Sequence, residues 1–452
     1  MLSPSYGNTG RRQSVQDAME HVPIGPTHFV LAVLCGATNA GSSAALLGSG
    51  LVLPQVAASY GVSPVMAAWV VVVTLVGAAA GAALAPACAD GAGRRGLIVA
   101  AGGLGMGVAL LHAAASDGSG RFLGLLTLRL VIGFVVGALG GVPETLLREC
   151  LPERHAPPMV FLCGIGASVG RLYVLCVALA NGSHQFVLAA PALPWAIGVL
   201  LLGALSSESP CWLHRAGYEV DAREVYLDLG GPVSGWQVSW QGTSRSEMGE
   251  LWKRLSGPTL VRISTFCCLG FWLLGAAVAA VTSGPELLRL QSPHKKHDFT
   301  FLVICELLCL LVAFPIATMC SMTFPLRKQI QSQSVLAASA LLCWWLWRRS
   351  LTPALAAFAV AWATLLTVGP SVYLMAVAVP PRAAHASVSV AGISGRLGGL
   401  VLATLALVIL TSPGTTTVPV QAVLVAAVTL GCTASWLPMP EDRAEEKALV
   451  QA

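Results

Sequence analysis

Charged residues are scarce in this chain, and their scarcity excludes most soluble folds. Asp, Glu, Lys and Arg make up 10% of the 452 residues, while hydrophobic residues make up 55%. A soluble domain contains about 25% charged residues, because its surface has to be solvated. The mean hydropathy of +0.74 points the same way. We therefore predict an integral membrane protein.

The apolar runs lack the alternation of apolar and polar residues that a membrane β-barrel requires. Barrel strands are segments of about 10 residues with that alternation. Here several apolar runs extend past the ~20 residues that an α-helix needs to cross a bilayer. The predicted fold class is therefore an all-α membrane protein.

Motifs for catalysis are missing as well. The sequence contains no Walker phosphate-binding loop, no paired nucleophile and base, and no histidine spacing typical of a metal site. The glycine-rich stretch 103–107 lies inside an apolar run with no strand before it, so it does not indicate a dinucleotide site. We expect no enzyme, no ATP-driven pump, no cofactor, no metal and no nucleic-acid partner.

Twelve apolar runs can cross a bilayer and organise the chain. They cover residues 27–47, 65–88, 96–115, 121–143, 158–180, 186–205, 259–283, 299–324, 333–347, 352–373, 385–410 and 417–437. An even number of spans places both termini on one side. Segments on that side carry nearly three times as many Lys and Arg residues as the loops opposite, so we predict cytoplasmic termini.

The longest polar insertion, 206–258, divides the spans into two groups of six. We predict short amphipathic helices at 219–227 and 247–255 within it. The predicted organisation has five parts: a cytoplasmic tail 1–26, a six-helix half 27–205, a cytoplasmic loop 206–258, a second six-helix half 259–437 and a cytoplasmic tail 438–452.

A short polar turn joins the second and third spans. Residues 89–96 read Ala-Asp-Gly-Ala-Gly-Arg-Arg-Gly and include Asp90, Arg94 and Arg95. With Gly81 before it, this turn resembles the loop between helices 2 and 3 of the major facilitator superfamily. The resemblance implies twelve helices in two halves, with an aspartate that pairs with basic groups on neighbouring helices.

Two further motifs narrow the resemblance. The insertion begins Ser-Glu208-Ser-Pro-Cys-Trp212-Leu, which resembles the Pro-Glu-Ser-Pro-Arg-Trp-Leu motif of sugar porters and of organic cation and anion transporters. Ser207 and Cys211 depart from it, and Cys211 removes a positive charge. The exit of span four contains Glu149, followed by Pro152 and Arg154. The chain thus resembles the organic cation/anion transporter-like (solute carrier family 22-like) branch, as an atypical member.

The resemblance implies roles for the polar residues at this face of the membrane. They would latch the outward-facing state and separate as the two halves tilt. The predicted latch consists of Asp90, Arg94, Arg95, Glu149, Arg154 and Glu208.

Charged residues inside the spans are candidates for substrate binding, because a charge at mid-bilayer costs about 2.5–3.5 kcal/mol and so faces a cavity or a partner. Arg129, Arg171, Glu306 and Arg396 are such residues. The alternative is structural, with the arginines paired to Glu306 or to helix-end carbonyls. The predicted substrate-binding residues are Arg396, Arg171, Glu306, Trp272, Trp362, Tyr373 and Asn39.

The resemblance favours Arg396, since organic anion transporters carry an arginine on span eleven near the substrate. A guanidinium suits carboxylate or sulfate. We therefore expect a secondary-active or facilitative transporter of small organic ions, with anions favoured, with or without a coupling ion. It would lie in the lipid bilayer of the plasma membrane and work by alternating access.

Departures in the second half keep other functions open. Val377 stands where the family has an acid, and the loop around Arg327 and Lys328 lacks the aspartate and glycines of the first half. The ninth span has only about 15 clearly apolar residues, short of the ~20 needed. The alternatives are a non-transporting receptor or scaffold on a degenerate transporter fold, and a sugar-type transporter.

Overall fold

The computed structural model describes residues 15–114, 121–181, 183–233, 257–291, 298–347, 351–377, 381–411 and 417–437. The regular secondary structure within these ranges is helical. The predicted tails and the predicted helix at 247–255 lie mainly or wholly outside them. The predicted division into five parts therefore stays a prediction.

Twelve long helices follow the twelve predicted spans. They are Pro26–Leu51 (α1), Pro64–Ala92 (α2), Arg94–Ala114 (α3), Phe122–Glu149 (α4), Ala156–Asn181 (α5), His184–Leu205 (α6), Ile263–Leu290 (α7), Phe299–Thr323 (α8), Leu326–Leu346 (α9), Leu351–Val377 (α10), Pro381–Thr411 (α11) and Val418–Ala434 (α12).

Ten of the helices in the described ranges are long and apolar enough to cross a membrane by themselves. The other two are α12, with 17 residues, and α9, with 21. The predicted all-α fold with twelve membrane helices in two halves is confirmed. We call the side of the bundle that holds residues 89–96 the turn end, and the other side the opposite end.

The ninth helix is longer than the apolar run that predicted it. The helix begins at Leu326, well before the predicted start at residue 333. Its first turns are polar, so an apolar-run count misses them. Arg327 donates hydrogen bonds to the carbonyl oxygens of Trp436, at 3.2 Å, and Leu437, at 2.8 Å, beyond the end of α12. The ninth helix therefore has 21 residues, although its apolar part remains short.

The insertion after α6 begins with two short helices. Pro210–Arg215 starts at the cap residue Ser209, whose hydroxyl accepts a hydrogen bond from the backbone N–H of Trp212. Glu219–Asp228 confirms that a helix forms at the predicted 219–227. Tyr226 of that helix is fully buried, so the start of the insertion packs as an ordered part of the fold.

Helices α2 and α4 approach each other through glycines. A Cβ atom on Gly133 would collide with the carbonyl oxygen of Thr74, and one on Gly137 would collide with that of Ala78. Small residues allow such backbone contact between membrane helices. These two glycines therefore pack the first half, as their four-residue spacing on one helix face predicts.

We expect Gly137→Ala to destabilise the protein, because the added methyl group has no space between α2 and α4. Overpacking of this kind costs about 1–3 kcal/mol. Gly103→Ala on α3 is the matched control, since nothing lies within 4 Å of its Cβ position. Thermal unfolding of the purified proteins measures the difference, and equal unfolding temperatures for the two variants would contradict the packing argument.

Candidate functional site

A buried ion pair joins the two halves of the bundle. Arg171 on α5 places its Nε 2.7 Å from Oε1 of Glu306 on α8. Arg171 is 4% exposed and Glu306 is 0% exposed. The hydroxyl of Ser168 accepts a second hydrogen bond, of 2.7 Å, from Nη2 of Arg171. The pair is thus desolvated and held between helices from opposite halves.

Trp362 completes this cluster from α10. Its indole Nε1 donates a 2.9 Å hydrogen bond to the same Glu306 Oε1. The other carboxylate oxygen, Oε2, is buried without a hydrogen-bond partner among the described residues. Three predicted substrate residues therefore meet at one point, and one acceptor oxygen there is unsatisfied. We call Arg171, Glu306 and Trp362 the upper cluster.

A second polar group lies nearer the turn end. Asn39 of α1 donates a 2.8 Å hydrogen bond from Nδ2 to Oε1 of Glu144 on α4. Arg396 of α11 lies beside the backbone of Gly140 and interacts electrostatically with Glu144. It also interacts with Tyr373 of α10. We call Asn39, Glu144, Tyr373 and Arg396 the lower cluster.

Glu144 is the residue of this site that sequence reasoning missed. It is 9% exposed, and its Oε2 lacks a hydrogen-bond partner in the described part of the chain. The available signal was an acid, preceded by Pro143, at the end of an apolar span. Glu149 lies nearby and matches the motif at the exit of span four, so the sequence predicted a role for Glu149 and not for Glu144.

The two clusters are close to electrically balanced. Arg171 opposes Glu306, and Arg396 opposes Glu144, in each case with one residue from each half. Arg396 is partly exposed, whereas Arg171 is not. The site therefore offers hydrogen-bonding groups and aromatic rings without a large excess of either charge.

Two other candidates lie away from both clusters. Trp272 of α7 stacks edge-on against Phe271, with ring centroids 5.0 Å apart, and lies beside Gly431 of α12. Arg129 of α4 is fully buried and bonds to Thr74 Oγ1 at 3.2 Å and to the carbonyl oxygen of Ala45 at 2.8 Å. These partners belong to the first half, so Arg129 fits the structural alternative.

Most of the predicted latch residues are brought together at the turn end. Arg94 Nη1 lies 3.1 Å from Asp90 Oδ1, and Arg94 Nε lies 3.3 Å from Glu149 Oε2. Glu208 Oε1 accepts hydrogen bonds from the backbone N–H groups of Arg94, at 2.9 Å, and Arg95, at 3.1 Å. A carboxylate at the first N–H groups of α3 also complements the helix dipole.

At the turn end, Trp212 of the short helix Pro210–Arg215 donates a hydrogen bond from Nε1 to the carbonyl oxygen of Asp90, and both Arg94 and Arg215 pair with Glu149. Arg154 is exposed, and no contact joins it to these residues in the described ranges. Arg95 donates from its guanidinium to the carbonyl oxygens of Leu202 and Gly203. The latch role of these residues stays a prediction.

Arg215 replaces the charge that Cys211 lacks. Its Nη2 lies 3.2 Å from Glu149 Oε1, and its Nε donates to the carbonyl oxygen of Cys211 at 3.3 Å. Burial raises the pKa of the Cys211 thiol to about 12, so this thiol adds no negative charge beside Glu149. Arg215, one turn after Cys211, thus supplies the positive charge beside Glu149 that Cys211 does not.

Comparison with known proteins identifies the family and the fold. The family model for sugar (and other) transporters matches residues 29–441. The chain belongs to this family. A D-xylose transporter of Levilactobacillus brevis is 29% identical over 161 residues, which are 35% of this chain and 34% of that relative. The match thus spans about a third of the curated relative's length.

Solved transporter structures share the fold along almost the whole chain. The major facilitator superfamily proton:xylose symporter XylE, bound to 6-bromo-6-deoxy-D-glucose, has a TM-score of 0.75 at 17% identity and covers 92% of this chain and 95% of its own. A partially occluded inward-open XylE from E. coli has a TM-score of 0.71 at 15% identity, covering 92% and 99%. This sugar (and other) transporter family member therefore has the major facilitator fold.

We expect Arg215→Ala to lower the unfolding temperature, because Glu149, which is 6% exposed, loses the counter-charge of Arg215. Cys211→Arg in the Arg215→Ala background should restore much of the loss, since the added guanidinium starts one turn earlier on the same helix. Thermal unfolding in detergent measures both effects. Arg154→Ala is the control, and an equal loss in that exposed variant would contradict the role of Arg215.

Proposed function

We propose that this protein carries a small, uncharged, polyhydroxylated solute of the sugar class across a membrane. The observation that supports this most is the charge balance of the upper and lower clusters. Arg171 is neutralised by Glu306 at 2.7 Å, so an incoming anion finds no free counter-charge there. A neutral solute needs hydrogen-bond partners instead, and the unsatisfied oxygens of Glu306 and Glu144 are acceptors for hydroxyl groups.

The aromatic residues of the site suit the same substrate class. Trp362 and Tyr373 both lie on α10, one in each cluster. Aromatic side chains combine an apolar ring with a hydrogen-bonding group. The apolar face of a sugar ring can pack on such a side chain while its hydroxyl groups bond to Asn39 and the carboxylates.

The relatives favour the sugar class over the organic ions expected from the sequence. The family model names sugar transporters first, and the relatives named above are xylose transporters. Organic-anion transport stays the second candidate, because Arg396 is partly exposed beside Glu144 and could bind a carboxylate if the pair opened. The organic-ion branch suggested by the motifs would belong to that second candidate.

Transport by alternating access requires contacts between the halves that can separate. The upper cluster joins α5 to α8 and α10, and Gly50 at the end of α1 packs on the carbonyl oxygen of Thr282 of α7. Nearer the turn end, Gly164 of α5 packs against Phe314 and Pro370. We propose that these two sets of contacts open in turn, as the two halves rock about the site.

A receptor or scaffold role is less favoured than it was from the sequence. One of the departures that suggested it has a structural answer, since Arg215 supplies the charge missing at Cys211, and α9 extends beyond its short apolar run. Cytoplasmic termini and a plasma-membrane location belong to the proposal and are checked by epitope accessibility in intact cells.

We expect saturable uptake of a labelled pentose or hexose by cells expressing the protein, with little uptake of a benzoate-type anion or a tetraalkylammonium cation. Vector-only cells provide the background. Anion uptake that Arg396→Ala abolishes would replace the proposal by its second candidate. No uptake of any of these compounds, with the protein at the cell surface, would favour the receptor role.

We expect Glu306→Gln and Arg171→Gln each to reduce uptake about tenfold or more, because removing one partner leaves the other charge buried and unpaired. The double variant should recover part of the rate, since it leaves no unpaired charge. Uptake is compared at matched surface levels. Arg121→Ala, an exposed arginine at the opposite end, is the control. A double variant as inactive as the single variants would argue against the pairing effect and for direct contact with substrate.

A further inference from the structure

The second half contains a cleft whose lining includes none of the residues of the two clusters. It has a volume of about 580 Å³ and lies between α8, α9 and α10. Val312 and Ile316 line it from α8, Gln329 and Gln333 from α9, and Thr364 from α10. Nothing in the proposed transport path accounts for this cleft.

The bilayer is what surrounds the open side of this cleft. Helix α8 is the least buried of the ten candidate spans, with 28% of its apolar window buried in protein. Its neighbouring side chains Leu311 and Met319 are each 69% exposed and apolar. In a membrane these side chains contact lipid tails. The material next to the cleft is therefore hydrocarbon rather than water.

The dimensions of the cleft suit an acyl chain. It extends along α8 from Leu308 to Phe324, which at 1.5 Å per residue is roughly 24 Å. One leaflet contributes half of a hydrocarbon core that is about 30 Å thick. The cleft is therefore long enough for a lipid tail that enters from the turn end.

A positively charged side chain lies at the turn end of the cleft. Lys328 lines it and is exposed, in the first turn of α9. The neighbouring Arg327 is engaged with carbonyl oxygens beyond α12. A lysine at this depth attracts a negatively charged headgroup. The charge is thus complementary to an anionic lipid and not to a zwitterionic one.

Gln329 adds an unused acceptor beside this lysine. Its Nε2 donates a 2.9 Å hydrogen bond to the carbonyl oxygen of Ala317, while its Oε1 is buried with no hydrogen-bond partner in the described ranges. Gln329 is 3% exposed and lines the cleft. A buried amide oxygen without a partner is costly, and a hydroxyl group from a ligand would satisfy it.

We propose that the cleft between α8, α9 and α10 is a binding site for an anionic phospholipid with a hydroxylated headgroup, such as phosphatidylglycerol. One acyl chain lies along α8, the phosphate contacts Lys328, and a headgroup hydroxyl bonds to Gln329. Phosphatidylcholine fits the apolar part equally well but supplies neither a net negative charge nor a hydroxyl donor.

The test uses the purified full-length protein and native mass spectrometry with phosphatidylglycerol and phosphatidylcholine as probes. We expect one phosphatidylglycerol to bind more tightly than phosphatidylcholine. Lys328→Ala should weaken phosphatidylglycerol binding about fivefold, the value for one basic residue near an anionic surface. Arg223→Ala, an exposed cation on the short helix Glu219–Asp228, is the control and should bind as the wild type does.

Two more variants test the acyl-chain contact and the headgroup contact separately. Val312→Trp should fill the cleft and reduce the binding of both lipids, and the partial exposure of Val312 limits its effect on folding. Gln329→Leu should remove the hydroxyl contact and so reduce the preference for phosphatidylglycerol over phosphatidylcholine, while it leaves the contact with Lys328. Thermal unfolding verifies that each variant is folded, and Lys328→Arg, which keeps the charge, should bind as the wild type does.

Specific results would overturn the proposal. Equal binding of phosphatidylglycerol and phosphatidylcholine by the wild type would show that the cleft holds hydrocarbon without headgroup selection. Equal losses in Lys328→Ala and Arg223→Ala would show a diffuse charge effect. Neither result depends on whether the protein carries a sugar, so the outcome is independent of the proposed function.

Discussion

Buried charge in a bilayer must find a partner inside the protein, and this constraint shapes the centre of the molecule. Arg171 and Glu306 cannot be hydrated where they lie, so each stabilises the other at 2.7 Å. Because one belongs to each half, the pair also holds the halves together. The same pair neutralises the region where a solute would bind, and so it bears on both the motion and the substrate class.

The motif residues and the charged pairs at the centre connect different parts of the molecule. The polar residues at the turn end connect helices of the first half to one another and to the start of the insertion. They are Asp90, Arg94, Glu149 and Glu208. Arg171 and Arg396 act between the halves. A half that is stiffened internally and joined to its partner by separable contacts is what a rocking mechanism needs.

Much of the fold was predictable because membrane helices carry a strong local signal. The spans, the six-plus-six organisation and the helix after Glu219 followed from apolar runs and polar breaks. The start of α9 did not, since the polar residues Arg327, Lys328 and Gln329 belong to a helix whose partners are distant in sequence. The compensation of Cys211 by Arg215 was likewise hidden, because it depends on which side of a short helix faces Glu149.

The sequence alone determined that this chain spans a membrane with twelve helices, and which charges had to lie inside it, because composition and run length decide how a segment partitions into lipid. Only the tertiary structure decided which charges meet. Arg171 pairs with Glu306, and Arg396 interacts with Glu144. Trp272 packs beside Gly431 of α12 instead of joining either cluster. Such pairings join residues more than a hundred positions apart, so no local pattern encodes them.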